Sequence, residues 1–88
     1  SLSHYAESIG NEVSNGIKKK VKEEVGKAVV KAKLEEGASS VTAVKAGKEA
    51  ADKAGKEVGD EAEKITVKNI KENLTNMLLM EKNKKEKK

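Results

Sequence analysis

The side chains able to do acid–base or metal chemistry are few in kind and poorly placed for it. Glu23-Glu24, Glu35-Glu36 and Asp60-Glu61-Ala62-Glu63 are the closest carboxylate neighbours. A working acid–base pair needs environments that push two proton affinities apart, and in a chain that is 39% charged these acids are expected to be solvated instead. His4 is the only histidine, close to the N-terminus, and there is no cysteine. A histidine-dependent triad, a thiolate nucleophile and a His- or Cys-built zinc site are therefore beyond a single chain. The glycines do not follow the G-x-x-x-x-G-K-[ST] spacing that cradles phosphate. The expectation is a non-enzymatic protein without metal or cofactor.

What the residues do offer is binding chemistry, and it is carried by lysine. All 19 basic residues are Lys, against 15 acids, for a net charge of +4. The charge is segregated: residues 1–17 carry −2, residues 18–33 carry +5, residues 34–64 carry −3, and the last eight residues carry +3. Lys18, Lys19, Lys20, Lys22, Lys27, Lys31 and Lys33 share one amphipathic stretch with Ile17, Val21, Val25 and Val29. Such a segment can lie on an anionic membrane with valines inward and lysines over the head groups. The alternative is a solvated face whose lysines meet the acids of residues 34–64. Nucleic acid is disfavoured as a partner, because bidentate phosphate and base readout favour Arg and base stacking favours aromatics. The chain has no Arg and a single aromatic residue, Tyr5.

These side chains must be positioned by helices. With no proline and with Ala, Lys, Glu and Val dominant, helix is the default, and no sustained alternation of period two argues for strand. Three helices are expected, over about 5–35, 41–64 and 67–82, in one all-α domain spanning 1–82. A lysine-rich tail over 83–88 is expected to be disordered. Gly37-Ala38-Ser39-Ser40 supplies a helix-ending glycine and an N-cap serine between the first two. The second and third are separated because Val44, Ala51, Val58, Ala62 and Ile65 define one apolar face, while Val67, Ile70, Leu74, Met77 and Leu78 lie roughly 130° round the same wheel. Thr66 is the candidate cap at the break; one bent, continuous helix is the alternative. The third face serves either as core against the hairpin or as a seat for a partner helix or lipid.

The spacing of the first two helices predicts how they meet. Ile9, Val13, Ile17, Val21, Val25 and Val29 recur every four residues, and so do Ser39, Ala43, Gly47, Ala51, Gly55 and Gly59. Folded at the turn, the branched row enters the small-residue groove antiparallel, with Ile17 opposite Ala51 or Gly55 and Val21 opposite Gly47 or Ala51.

The chain is 88 residues long, enough for one domain, and its large apolar residues are scarce. Val, Ile, Leu, Met and Tyr number 21, and 10 more of the hydrophobic residues are alanines. That fraction borders on the composition of chains that do not fold alone, so largely disordered or single extended helices are the alternative fold. The short repeat Lys45-Ala46-Gly47-Lys48-Glu49-Ala50-Ala51-Asp52, Lys53-Ala54-Gly55-Lys56-Glu57-Val58-Gly59-Asp60 resembles late-embryogenesis-abundant desiccation proteins in its Ala, Lys, Glu and Gly content. The likeness covers about 20 residues, and that family's eleven-residue repeat is missing. It implies a structural or protectant role as the alternative to binding.

No apolar run approaches the roughly 18 residues that span a bilayer. Asn73-Leu74-Thr75 is a glycosylation sequon, and the start at Ser1 fits removal of a leader. Together they favour a secreted protein, with the cytoplasm as the alternative. The function expected is surface binding to a protein partner or an anionic lipid layer, with helical self-assembly into a homo-oligomer as a further possibility.

Overall fold

A computed structural model describes residues 1–86, and every element in it is helical. Two helices account for them, α1 (Leu2–Glu35) and α2 (Ser40–Glu86). They pack side by side, antiparallel, as a slender rod of 74 × 20 × 13 Å.

The turn is built as its residues dictate. Gly37 takes a left-handed φ of 91°, which costs a residue with a Cβ about 1–2 kcal/mol and glycine almost nothing. With that bend, Gly37 N–H donates to the Leu34 carbonyl and Ala38 N–H donates to the Lys33 carbonyl, each at 3.0 Å. This pair of bonds is the Schellman closure of a helix. Ser39 then caps α2: its Oγ accepts from Thr42 N–H at 3.2 Å and donates to Thr42 Oγ1 at 3.0 Å. Ser1 caps α1 in the same manner, accepting from His4 N–H at 3.3 Å.

The seam between the helices is made of small residues on both sides. On α2 the buried row is Ala43, Gly47, Ala51, Gly55 and Gly59. On α1 the buried residues are Ala6, Gly10 and Ser14, continued toward the turn by half-buried Lys18, Gly26 and Val30. The small-residue groove of α2 is thus where its spacing places it, but the residue row that fills it is not the branched one. Val13 and Ile17 stay exposed, at 38% and 36%, and Val21, Val25 and Val29 are half-buried along one flank. Small-on-small packing lets the backbones approach closely: a Cβ built on Gly47 would sit 2.9 Å from the Gly26 carbonyl oxygen and 2.6 Å from Val30 Cγ2. A four-residue spacing is wider than the helical 3.6, so each row winds about its helix. The two rows stay in register only if the helices wrap in the right-handed sense.

One polar bond ties the seam: Ser14 Oγ, 4% exposed, donates to the Gly59 carbonyl at 2.7 Å. One ion pair crosses between the helices among the described residues, Lys22 Nζ to Asp52 Oδ1 at 3.1 Å. Both partners are about half exposed, so it contributes on the order of 0–1 kcal/mol.

The all-α class holds, but the three-helix bundle does not. α2 runs without interruption from Ser40 to Glu86, and Thr66 is an ordinary helical residue, not a cap. The division rested on two apolar faces that one straight helix could not turn to one core. The large residues do not define the buried face: Val44, Val58 and Ile65 are exposed, at 58%, 41% and 50%. The small row winds from Ala43 to Gly59 and passes smoothly into half-buried Glu63, Val67, Ile70 and Leu74. No change of face occurs, so no break is needed, and no proline or glycine is present after Gly59 to cause one. Residues 83–86, assigned by sequence to a disordered tail, continue α2; Lys87 and Lys88 of that tail lie outside the described residues.

Candidate functional site

Register decides which surfaces are free. Gly10 lies against Glu63 and Val67, Ser14 against Gly59, and Gly26 against Gly47 and Ala51. Leu2, eight residues before Gly10, therefore lies level with Lys71, eight residues after Glu63. Beyond Lys71 the second helix has no companion among the described residues. About 15 residues, roughly 22 Å at ~1.5 Å per residue, project past the end of α1.

The seven lysines of the basic stretch are divided by the fold. Lys18 and Lys22 lean over the seam, where their stems cover Gly55: a Cβ there would meet Lys22 Cγ at 2.6 Å and Lys18 Cγ at 3.2 Å. Long side chains often bury the stem in this way and leave the charge in water. Lys33 is half-buried and pairs with Glu36 at 3.6 Å. Lys19, Lys20, Lys27 and Lys31 are exposed. The acids of residues 34–64 do not neutralise this stretch, because half of them, Glu57, Asp60, Glu61 and Glu63, lie toward the other end of the rod. Opposite residues 18–33 stands the portion of α2 from about 40 to 55, whose only acids are Glu49 and Asp52.

The rod is consequently polarised. Its turn half, residues 18–55, carries ten lysines against six acids; its open end, residues 1–17 and 56–71, carries four lysines against six acids. At the turn, Leu34, Val41 and Val44 stand exposed at 46%, 80% and 58%. Gly26, Val30 and Leu34 floor a shallow apolar recess rimmed by Lys27, Lys31 and Glu35, and Lys45 and Lys48 are exposed on the adjoining turns of α2. Charge and periodicity along the chain do not single out this tip. Two valines three residues apart just after a turn, followed by lysines at the next helical positions, were the available signal; Val44 was instead assigned to a core face.

The apolar face of the third segment is split by the end of α1. Val67, Ile70 and Leu74 are half-buried, whereas Met77 and Leu78 are exposed, at 63% and 66%. Leu79 and Met80, on the flank, are also exposed. Asn73 of the sequon is exposed on the same helix.

No group of three His, Cys, Asp or Glu side chains among the described residues is arranged to hold a metal ion. His4 lines an open groove at the far end of the rod with Glu7, Asp60, Glu63 and Lys71. Among the described residues no helix is long and apolar enough to cross a membrane. No protein-family model, curated protein or solved structure matches the chain.

Proposed function

We propose that this is a non-enzymatic binding protein that attaches to anionic lipid surfaces through the turn end of its hairpin. The observation that supports the reading is the coincidence, at one end of the rod, of exposed Leu34, Val41 and Val44 with Lys27, Lys31, Lys45 and Lys48. Each lysine near an anionic bilayer contributes about 1 kcal/mol, and shallow insertion of the apolar residues adds to that. The geometry differs from a helix lying flat. Val21, Val25 and Val29 are engaged along the hairpin, so the tip and not the length of α1 meets the surface. An extracellular setting, favoured by the sequon at Asn73, belongs to the same reading.

Co-sedimentation with phosphatidylcholine vesicles, with and without phosphatidylserine, at physiological salt tests it. Binding is expected only to the anionic vesicles, weakening as salt shortens the Debye length from about 8 Å toward 3 Å. Replacing Lys27, Lys31, Lys45 and Lys48 with Gln is expected to cut the affinity at least about a hundredfold. Binding that is absent from both vesicle types, or equal on both, removes the lipid reading.

A further inference from the structure

The projecting part of α2 poses a problem that the anionic tip does not address. A single helix of about 15 residues is marginal in water by itself, and this one presents Leu74, Met77 and Leu78 on the same face that, further back, packs against α1. The apolar seam thus continues for about two turns after its first occupant has ended, before Glu81, Lys82 and Lys85 take its place. We infer that a second copy of this chain fills it: two projecting ends of α2 lie side by side, antiparallel, about a two-fold axis near Leu78 and Leu79.

Three features select a second copy over another helix. The first is direction, since α1 runs antiparallel to α2 and any helix continuing its path does the same. The second is length. A helix entering the vacated side can extend from the tip of α2 back only to the level of Lys71, where α1 begins. The projecting end of another copy has that length by symmetry, and an isologous pair brings the apolar Met77–Met80 run of each chain to the centre. The third is charge. About that axis residue n comes level with residue 157 − n of the other copy, which brings Lys85 to the level of Glu72 and Glu86 to the level of Lys71. The overlap of ~22 Å is shorter than interfaces of standard size, about 800 Å² per partner. The dimer is therefore reversible and concentration-dependent.

The chain contains no cysteine, so single cysteines report the geometry without interference. Leu78→Cys lies beside its own copy and is expected to form a covalent dimer readily in a glutathione redox buffer. Leu74→Cys is expected to cross-link poorly, because its copy sits about 13 Å further along the helix, beyond the ~7 Å that a disulfide spans between Cα atoms. A parallel pair would cross-link at both positions alike. Sedimentation equilibrium of the wild-type chain is expected to show a monomer–dimer equilibrium from micromolar concentration upward. X-ray scattering of the dimer is expected to give a maximum dimension of about 125 Å, twice the 74 Å rod less its overlap. Both substitutions lie beyond α1, so unchanged helicity by circular dichroism separates lost pairing from lost folding. A wild-type chain that remains monomeric at millimolar concentration overturns the inference, as does equal cross-linking at positions 74 and 78. Protection of residue 78 only when vesicles are added assigns the face to lipid instead.

Discussion

The small-residue seam makes opposite demands on glycines that look alike in the sequence, and Gly47 is the sharpest case. A methyl group there would lie 2.9 Å from the Gly26 carbonyl oxygen and 2.6 Å from Val30 Cγ2. Val30 can turn aside, but the carbonyl is backbone, so relief requires the helices to separate. Gly47→Ala gains about 1 kcal/mol of helix propensity and loses about 1–3 kcal/mol to overpacking. The net effect runs from near zero to roughly 2 kcal/mol of destabilisation. Gly16→Ala is the internal reference: nothing lies within 4 Å of a Cβ there, so it is expected to gain the full ~1 kcal/mol. Gly26, although it faces Gly47, directs its own Cβ to ordinary contacts of 3.6 and 3.8 Å, and Gly26→Ala is expected to stabilise as well. Thermal melts by far-ultraviolet circular dichroism measure the contrast. In a domain of this size, 1 kcal/mol moves Tm by about 4–8 °C, so Gly47→Ala should melt at least about 4 °C below Gly16→Ala. If Gly47→Ala melts as high as Gly16→Ala, the helices do not approach as described and the seam is open.

Three further expectations follow from the turn and the interhelical polar contacts. Gly37→Ala should destabilise by about 1–2 kcal/mol, because the left-handed φ of 91° is retained by the two closing hydrogen bonds; an unchanged melt would place the chain reversal elsewhere. Ser14→Ala should cost about 1 kcal/mol and no more, since the Gly59 carbonyl keeps its own helical bond when the hydroxyl is removed. Asp52→Asn should cost no more than about 1 kcal/mol near neutral pH, a drop in Tm of at most about 4–8 °C, as befits an ion pair exposed by half. A drop larger than that of Gly37→Ala would show that charge, not packing, holds the rod.

Much of this architecture is legible in the chain. The turn at residues 37–40 reads from one glycine and one serine, and the α2 groove reads from its four-residue spacing. What misled was weighting residues by size. Ile9 to Val29 recur as regularly as the α2 row, so they looked like its partners. The actual row, one position further on, mixes Gly10, Ser14, Lys18 and Gly26 and has no hydrophobic signature at all. Close packing of backbones is favoured by what a residue lacks, and no periodicity of apolar side chains records it. The break expected at Thr66 is absent for the same reason: Val44, Val58 and Ile65 lie on the outer face, and small residues line the inner one. For the candidate sites, the basic stretch was visible as charge. Its division into stems over the seam and heads in solvent depends on a register set by small residues.

That register also changes what the scarcity of large apolar residues means. A hairpin held by Ala, Gly and Ser does not need them inside, and thirteen of the 21 are more than a third exposed: Leu2, Tyr5, Val13, Ile17, Leu34, Val41, Val44, Val58, Ile65, Met77, Leu78, Leu79 and Met80. Scattered exposed apolar residues are ordinary. Seven of the thirteen are grouped at the ends of the rod: Leu34, Val41 and Val44 at the turn, Met77 to Met80 on the projecting helix. Contiguous exposed apolar surface marks contact sites more often than it marks anything else. The two ends differ in the company they keep, an excess of lysines over Glu35, Glu36 and Glu49 at the turn and a continuing seam at the other. A rod joined to a second copy at its projecting end would carry its two basic tips at opposite extremities, about 125 Å apart. Such a dimer cannot place both tips on one flat bilayer, but it can bridge two. Vesicle clustering that requires Leu78 as well as the tip lysines is the behaviour this arrangement implies, whereas clustering that survives Leu78→Lys would mean that the two ends act separately.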